Sequence, residues 1–467
     1  MAEYKSEPQT DLIYTLEDTP GFTESTFAAI QHVLASFVGI ITPTLVIGGV
    51  LGLGSHIPYL ISMALIVSGA ATFIQARRML GVGAGMLCVQ GTSFAFLSSI
   101  LAAGFIAKAK GGGPDEILSL IFTVCFFGAF IEIFLSQIIG KLKNVVTPLV
   151  TGIVITVIGL SLIKVGMTDL AGGFKAKDLG SIENMMLGIT VLLVVIVMNQ
   201  MKNQWLRISS IAIGLVVGFI IAIMMGKIDF SNLAALPAVS IPVPFKFGFS
   251  FDLAAFLPIA LIYIITAIET TGDITANCVI SGQEIDGKKY RDRVKGGVLA
   301  DGVNSLIAAT FNTFPNTTFS QNNGVIQLTG VASRHVAYFI AVILIILGFF
   351  PIIGGVLQNM PKPVLGGATL IMFATVAAAG VKILKQVELN RRNMLVIAVS
   401  FGLGLGVMMV PEAIAQLPKV AQNIFGSAVT MGGLSAIILN LILPQPESKS
   451  LSVPELEKET KEQLATN

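Results

Sequence analysis

The chain has 467 residues, 54% of them hydrophobic and only 12% charged, with a formal net charge of +2 and a mean hydropathy of +0.83. Soluble domains carry about a quarter charged residues, so the composition excludes a water-soluble globule. A charge this small and dispersed excludes nucleic acid as a partner.

Residues 1–26 read as a polar tail carrying Glu3, Glu7, Asp11, Glu17 and Asp18, without the basic start and apolar core of a signal peptide. Fourteen apolar stretches follow, each near the ~20 residues a helix needs to cross ~30 Å of hydrocarbon. They run over 27–54, 57–76, 80–105, 116–140, 146–167, 184–200, 208–226, 253–280, 296–312, 319–333, 335–357, 363–381, 393–411 and 425–443, and a polar tail, 444–467, closes the chain. Every arginine (Arg77, Arg78, Arg207, Arg291, Arg293, Arg334, Arg391, Arg392) falls in a connection that follows an even-numbered stretch. By the positive-inside rule both termini are then cytoplasmic, in a multi-pass protein of a cell membrane.

Fourteen divides into two sevens. Span 5 opens Pro148-Leu-Val-Thr-Gly152 and span 12 opens Pro363-Val-Leu-Gly-Gly367; span 3 is interrupted by Gln90-Gly-Thr-Ser-Phe94 and span 10 by Pro315-Asn-Thr-Thr-Phe-Ser-Gln-Asn-Asn-Gly324. Odd-length repeats place the second half upside down relative to the first, and paired interruptions at matching positions point to a transporter binding site. The expected fold is an all-α polytopic membrane protein of fourteen transmembrane segments in two inverted seven-span repeats.

The chemistry gathers in spans 8 to 10. In Ile268-Glu-Thr-Thr-Gly-Asp273, Glu269 and Asp273 are four residues apart, on one helix face with their β-carbons roughly 6 Å apart. Two carboxylates that close in a low-dielectric medium do not both ionise, so one can carry a proton near neutral pH. Asp301, among Gly296, Gly297 and Gly302, lies near the start of span 9. Ionisable groups at membrane depth mark a site. In Thr318-Phe-Ser-Gln-Asn-Asn-Gly324, the amides of Gln321 and Asn322 offer paired donors and acceptors, which suits a planar heterocycle better than an inorganic ion. Glu132 in span 4 has no evident partner. Lys288, Lys289, Arg291, Arg293 and Lys295 read as a solvated loop facing lipid headgroups. Gly81-Val-Gly-Ala-Gly85 lacks the Lys-Ser/Thr of a phosphate loop and reads as close helix packing. Cys88, Cys125 and Cys278 are too scattered for a disulfide framework or a metal site, no HExxH or GxSxG motif occurs, and neither cofactor nor enzymatic activity is expected.

Gln321-Asn-Asn-Gly-Val-Ile-Gln-Leu-Thr-Gly330, Glu269-Thr-Thr-Gly-Asp-Ile-Thr-Ala276, Lys295-Gly-Gly-Val-Leu-Ala-Asp301 and Gln31-His32 resemble the signatures of the nucleobase–ascorbate transporters, most closely the bacterial xanthine permeases. The resemblance runs from Leu12 to the Gly432-Gly433 pair. It implies proton-coupled import of a purine, xanthine, across the bacterial inner membrane by alternating access. It also implies short strands in spans 3 and 10, a core domain (27–140 and 253–357) moving against a gate domain (146–226 and 363–443), and a homodimer joined through the gate. The residue matching Glu269 grips the base, with Gln321 opposite, backbone amides at Phe94 and Ser320 on the short strands, and the Phe94 ring against the purine. Residues matching His32, Asp273, Asp301 and Asn322 belong to the surrounding network. Ser93 and Ser427 stand where xanthine-selective relatives carry asparagine; the smaller side chains leave room beside the imidazole ring, which keeps urate as an alternative or second substrate.

Overall fold

The computed structural model describes residues 12–139, 147–174, 176–229, 233 and 236–444. The first eleven residues of the N-terminal tail and residues 445–467 of the C-terminal tail lie outside them. In chain order the elements are α1 (Phe22–Leu51), α2 (Ile57–Arg77), strand β1 (Gln90–Thr92), α3 (Leu97–Ala109), α4 (Pro114–Ile138), α5 (Pro148–Leu170), α6 (Ile182–Asn199), α7 (Gln204–Ile208), α8 (Ser210–Met224), α9 (Leu253–Ile280) and α10 (Gly287–Thr310). Strand β2 (Asn316–Thr318), α11 (Ser320–Thr329), α12 (Arg334–Gly348), α13 (Pro351–Gln358), α14 (Lys362–Leu384), α15 (Arg391–Met409), α16 (Lys419–Phe425) and α17 (Ala428–Ile442) complete it.

Among the described residues eight helices are long and apolar enough to cross a membrane, nine if α12 and α13 form one bent span. Three further apolar helices, Phe94–Ala109, Ser210–Met224 and Ala428–Ile442, are shorter. Length and composition therefore reach eight or nine of the fourteen expected crossings. Span 11, expected over 335–357, is broken before Pro351 and bent by 72°, because proline supplies no N–H and disfavours helix in the residue before it. Helix α10 starts at Gly287, nine residues before the expected 296. Asp286 caps it by accepting from Gly287 N–H at 2.6 Å. The basic cluster is thus the first turns of a helix rather than a loop. Arg293 is buried and donates to Gln283 Oε1 at 2.9 Å.

Local chemistry starts the other helices as well. Pro114 and Pro148 occupy first turns, where a missing N–H costs nothing. Asp252 caps α9 through Ala255 N–H at 2.9 Å. Its carboxyl is held below the usual carboxylate range, chiefly by the hydrogen bond from Lys110 and further by backbone N–H groups.

Two groups of helices result. In one, α2 packs on α12, and α4 on α9 and α10, around α1, α3 and the strands. Gly83, at φ +117°, donates to Gly296 O at 2.8 Å, and a Cβ on Gly296 would strike Gly83 O, so the glycine-rich turn is a close-packing device. In the other group α5 lies against α14, α6 against α8 and α15 against α17. Helices α5 and α14 are the pair that share the Pro-x-x-x-Gly opening. A Cβ on Gly159 would collide with the Ala377 backbone, one on Gly366 with Leu170 and one on Gly380 with Thr156. Small residues of this kind let membrane helices approach at backbone distance. The seam between the groups is made mainly where α9 meets α5, α16 and α17.

Candidate functional site

Six residues of sheet sit among the helices. Gln90 pairs with Thr318, Gly91 with Thr317 and Thr92 with Asn316, antiparallel. Phe319 N–H to Val89 O at 2.9 Å and Ser93 N–H to Pro315 O at 2.8 Å extend the ladder. Extended backbone at membrane depth persists only where protein groups satisfy it, and each strand supplies the other. Gly91 is required there, since a Cβ would strike the Phe319 ring.

Phe94 opens a short 3-10 turn that leads into α3, and Ser320 is the first residue of α11. They were expected on the strands, but the strands end at Thr92 and Thr318 and both residues stand at first helical positions. The change matters chemically, because a helix start has N–H groups without internal acceptors and the positive end of the helix dipole. The Phe94 ring meets Phe373 of α14 edge-on, with centroids 5.3 Å apart, so it bridges the two helix groups. On α1, a Cβ at Gly39 would lie 2.8 Å from the Phe319 ring and 3.1 Å from Gln321 Nε2. The α1 backbone therefore runs directly beside Gln321.

The carboxylates differ sharply in their surroundings. Asp301, fully buried, accepts from Gln75 Nε2 at 2.8 Å, Thr270 Oγ1 at 2.5 Å, Thr317 Oγ1 at 3.3 Å and Thr318 N–H at 3.2 Å. It ties α2, α9, α10 and β2 together. Asp273 Oδ2 accepts from Thr318 Oγ1 at 3.0 Å, which fixes α9 to β2. Glu269, one turn earlier and half-buried, has a buried Oε2 with no partner. His32 and Asn322 form a unit: Asn322 Nδ2 lies 3.0 Å from His32 Nδ1 and donates to His32 O at 3.1 Å. With Nδ1 accepting, a neutral ring carries its proton on Nε2, and that Nε2 is buried and unpartnered, as is Asn322 Oδ1.

The two serines diverge. Ser93 is buried with a free hydroxyl, beside the Phe94 turn. Ser427 caps α17, accepting from Thr430 N–H at 3.3 Å, and none of its described contacts reaches Glu269, Gln321 or Phe94.

Several members of the network escaped the sequence reading. Gln75 not only holds Asp301 but accepts from Ala84 N–H at 2.9 Å. Asn277 donates to Leu87 O and to Asn323 Oδ1, both at 2.9 Å. Asn304 Nδ2 lies 3.4 Å from Gln90 Oε1. The available signal was an amide inside an apolar stretch, as anomalous there as a carboxylate.

Two cavities flank this centre along the seam. One, of about 290 Å3, is lined by Val46 and Val50 of α1, Leu101 and Phe105 of α3, and Lys164 and Lys362. The other, of about 270 Å3, is lined by Thr151 of α5, Thr271 and Gly272 of α9, and Gln327 of α11. They open at opposite ends of the molecule, each between the two helix groups. Nothing in this constellation resembles a metal centre: among the described residues no cluster of histidine, cysteine and carboxylate side chains is present.

The family model described as a permease family matches residues 23–413. The chain is 46% identical over 439 residues to the xanthine permease XanQ of Escherichia coli (strain K12), covering 93% of this chain and 94% of that protein. It is 43% identical over 445 residues to the xanthine permease XanP of the same organism, covering 94% and 96%. With the uric acid permease PucJ of Bacillus subtilis (strain 168) it shares 35% over 437 residues, covering 92% and 94%. Among solved structures, the transmembrane domain of the cyanobacterial bicarbonate transporter BicA superposes with a TM-score of 0.53 at 15% identity, covering 92% of this chain and 100% of that one. That last likeness is one of fold.

Proposed function

Because the chain belongs to this permease family, a family of transporters rather than enzymes, we propose that it imports xanthine with a proton across the bacterial cytoplasmic membrane by alternating access. The observation that carries this reading is Glu269: a buried carboxylate oxygen without a partner, on a helix pinned to the strands by Asp273 and Asp301. In its protonated form the carboxyl donates one hydrogen bond and accepts another, matching adjacent N–H and C=O groups of an oxidised purine. Gln321 serves the opposite edge, the helix starts at Phe94 and Ser320 offer free N–H groups, and the Phe94 ring covers the face.

In this reading all fourteen stretches cross the membrane as inverted repeats, with both termini cytoplasmic. The group holding α1 to α4 and α9 to α13 is the moving core; the group holding α5 to α8 and α14 to α17 is the gate, through which two copies pair. With purine bound, the amides and N–H groups of the site are satisfied and the core passes the gate. With proton alone they stay unpaired, and a buried unpaired polar group costs several kcal/mol in an apolar setting. That penalty couples the two fluxes.

Urate is the second reading, favoured by the free hydroxyl and small volume of Ser93 and by the likeness to PucJ. Uptake of radiolabelled xanthine by cells expressing the protein, with unlabelled urate, hypoxanthine and uracil as competitors and with or without a protonophore, tests both. Accumulation abolished by protonophore is the expected result. Accumulation that survives it removes the proton, and competition by urate at concentrations similar to xanthine makes the transporter one of both purines.

A further inference from the structure

The larger seam cavity, of about 290 Å3, opens at the end of the molecule away from the N-terminus, where α1 and α5 finish. Its wall is mostly apolar and includes the rings of Phe105 and Phe174, but Lys164, Asp169 and Lys362 also line it. The place of Lys362 is built into the backbone. A Cβ on Gly49 would lie 2.9 Å from its Nζ, and one on Gly173, at φ +106°, would lie 2.9 Å from its Cγ. These two glycines leave a slot for the lysine stem, which crosses from α14 to α1 and holds its ammonium 3.5 Å from Leu45 O. Two ammonium groups against the one carboxylate of Asp169, which the charge of Lys362 reaches, leave the cavity one net positive charge beside aromatic surface. Helix α3 connects this cavity to the inner site: Phe94 opens its leading turn, and Phe105, eleven residues on, lines the cavity, about 16 Å along the helix axis.

We propose that this cavity is a separate binding site for an oxidised purine in its anionic form, occupied before the ring reaches Glu269. It rests on the purine reading of the inner site. Oxidised purines are weak acids whose ring carries a delocalised negative charge once ionised. A wall of aromatic rings with one net positive charge is complementary to that shape and charge. A neutral purine gains the rings but not the charge.

The test is transport kinetics of the whole protein reconstituted in liposomes, comparing the unmodified chain with Lys362→Gln, Lys164→Gln, the double variant and Lys362→Arg. Each is assayed with urate and with xanthine, the latter at an acidic pH where its ring is neutral and an alkaline pH where it is an anion. Each lysine removed is expected to raise KM for the anion about threefold, the Coulomb attraction of unit charges some 6 Å apart in a water-like medium, and the double variant about tenfold. Maximal velocity holds, the effect fades at high salt, Lys362→Arg restores it, and neutral xanthine is untouched. Equal changes for neutral and anionic substrate, or none for the anion, overturn the outer site while leaving a purine transporter. Failure of the unmodified protein to transport any purine overturns the inner-site reading instead.

Discussion

Glu269, half-buried, and Asp301, fully buried, are carboxylates on neighbouring helices, and they differ in how many donors they meet. Asp301 meets four, so truncating it leaves several buried groups unpaired. Asp301→Ala is expected to lower stability by about 3 kcal/mol, read as a lower Tm in detergent together with lost transport. Glu269→Gln keeps the shape of the group and removes its proton. Purine binding should persist in that variant while protonophore-sensitive accumulation disappears; unchanged uphill uptake would reject the coupling role. Glu132 presents the opposite case to Asp301: 1% exposed, with the Thr266 hydroxyl alongside but neither carboxylate oxygen in full hydrogen-bond geometry. Replacing an uncompensated buried acid by an apolar residue of similar volume is commonly neutral or stabilising. Glu132→Leu should therefore match or exceed the parent Tm, and a fall of several degrees would reveal a partner. The sequence singled out Glu269, Asp273, Asp301, Gln321 and Asn322 because charged or amide side chains stand out in apolar stretches, and His32 through the family resemblance; that His32 meets Asn322 was not legible. It did not reveal that Asp301 is a tie among four elements, since hydrogen-bond partners 16 to 226 residues distant leave no local mark.

Between residue and molecule stands the strand pair, three residues against three. Such short strands hold only because both faces are packed, and Gly91 is where the Phe319 ring closes on the backbone. Gly91→Ala is expected to displace Phe319, and with it Gln321 two positions on, weakening purine binding at least tenfold while leaving far-UV helical content intact. Binding at parent affinity would show that the ring moves freely. The interruptions at Gln90–Phe94 and Pro315–Gly324 were legible as breaks in hydropathy. The point where strand yields to helix was not, because neither Ser93 nor Phe319 makes a side-chain cap that a reader of sequence could recognise. Helix α10 was misjudged for a related reason: five basic residues look like a loop by composition, yet lysine and arginine are good helix formers and Asp286 supplies the start.

At the scale of the whole chain, the proposed alternating-access mechanism requires the two helix groups to slide, and the structure offers a place to stop them. A Cβ on Gly272 of α9 would stand 3.6 Å from Thr151 Cβ of α5, a separation typical of disulfides. In a background lacking Cys88, Cys125 and Cys278, all free, the pair Thr151→Cys and Gly272→Cys should oxidise. Oxidation is expected to arrest uptake and reductant to restore it; full activity with the bridge closed would mean that α5 and α9 do not move apart. The proposed division into sevens rests on two correspondences in the sequence. The packing of the halves was not legible there, because the glycines that bring α5 onto α14 contact residues about two hundred positions away. The strand register has a consequence for biosynthesis as well. Residues 90–92 find their backbone partners only in residues 316–318, so the third hydrophobic stretch reaches the membrane long before anything exists to pair with it. At ribosomal rates of about 5–20 residues per second, the interval is roughly 10 to 50 seconds. During that time the nascent half must lodge in the translocon, at the interface or with a chaperone, because lipid offers an open strand edge no hydrogen bonds.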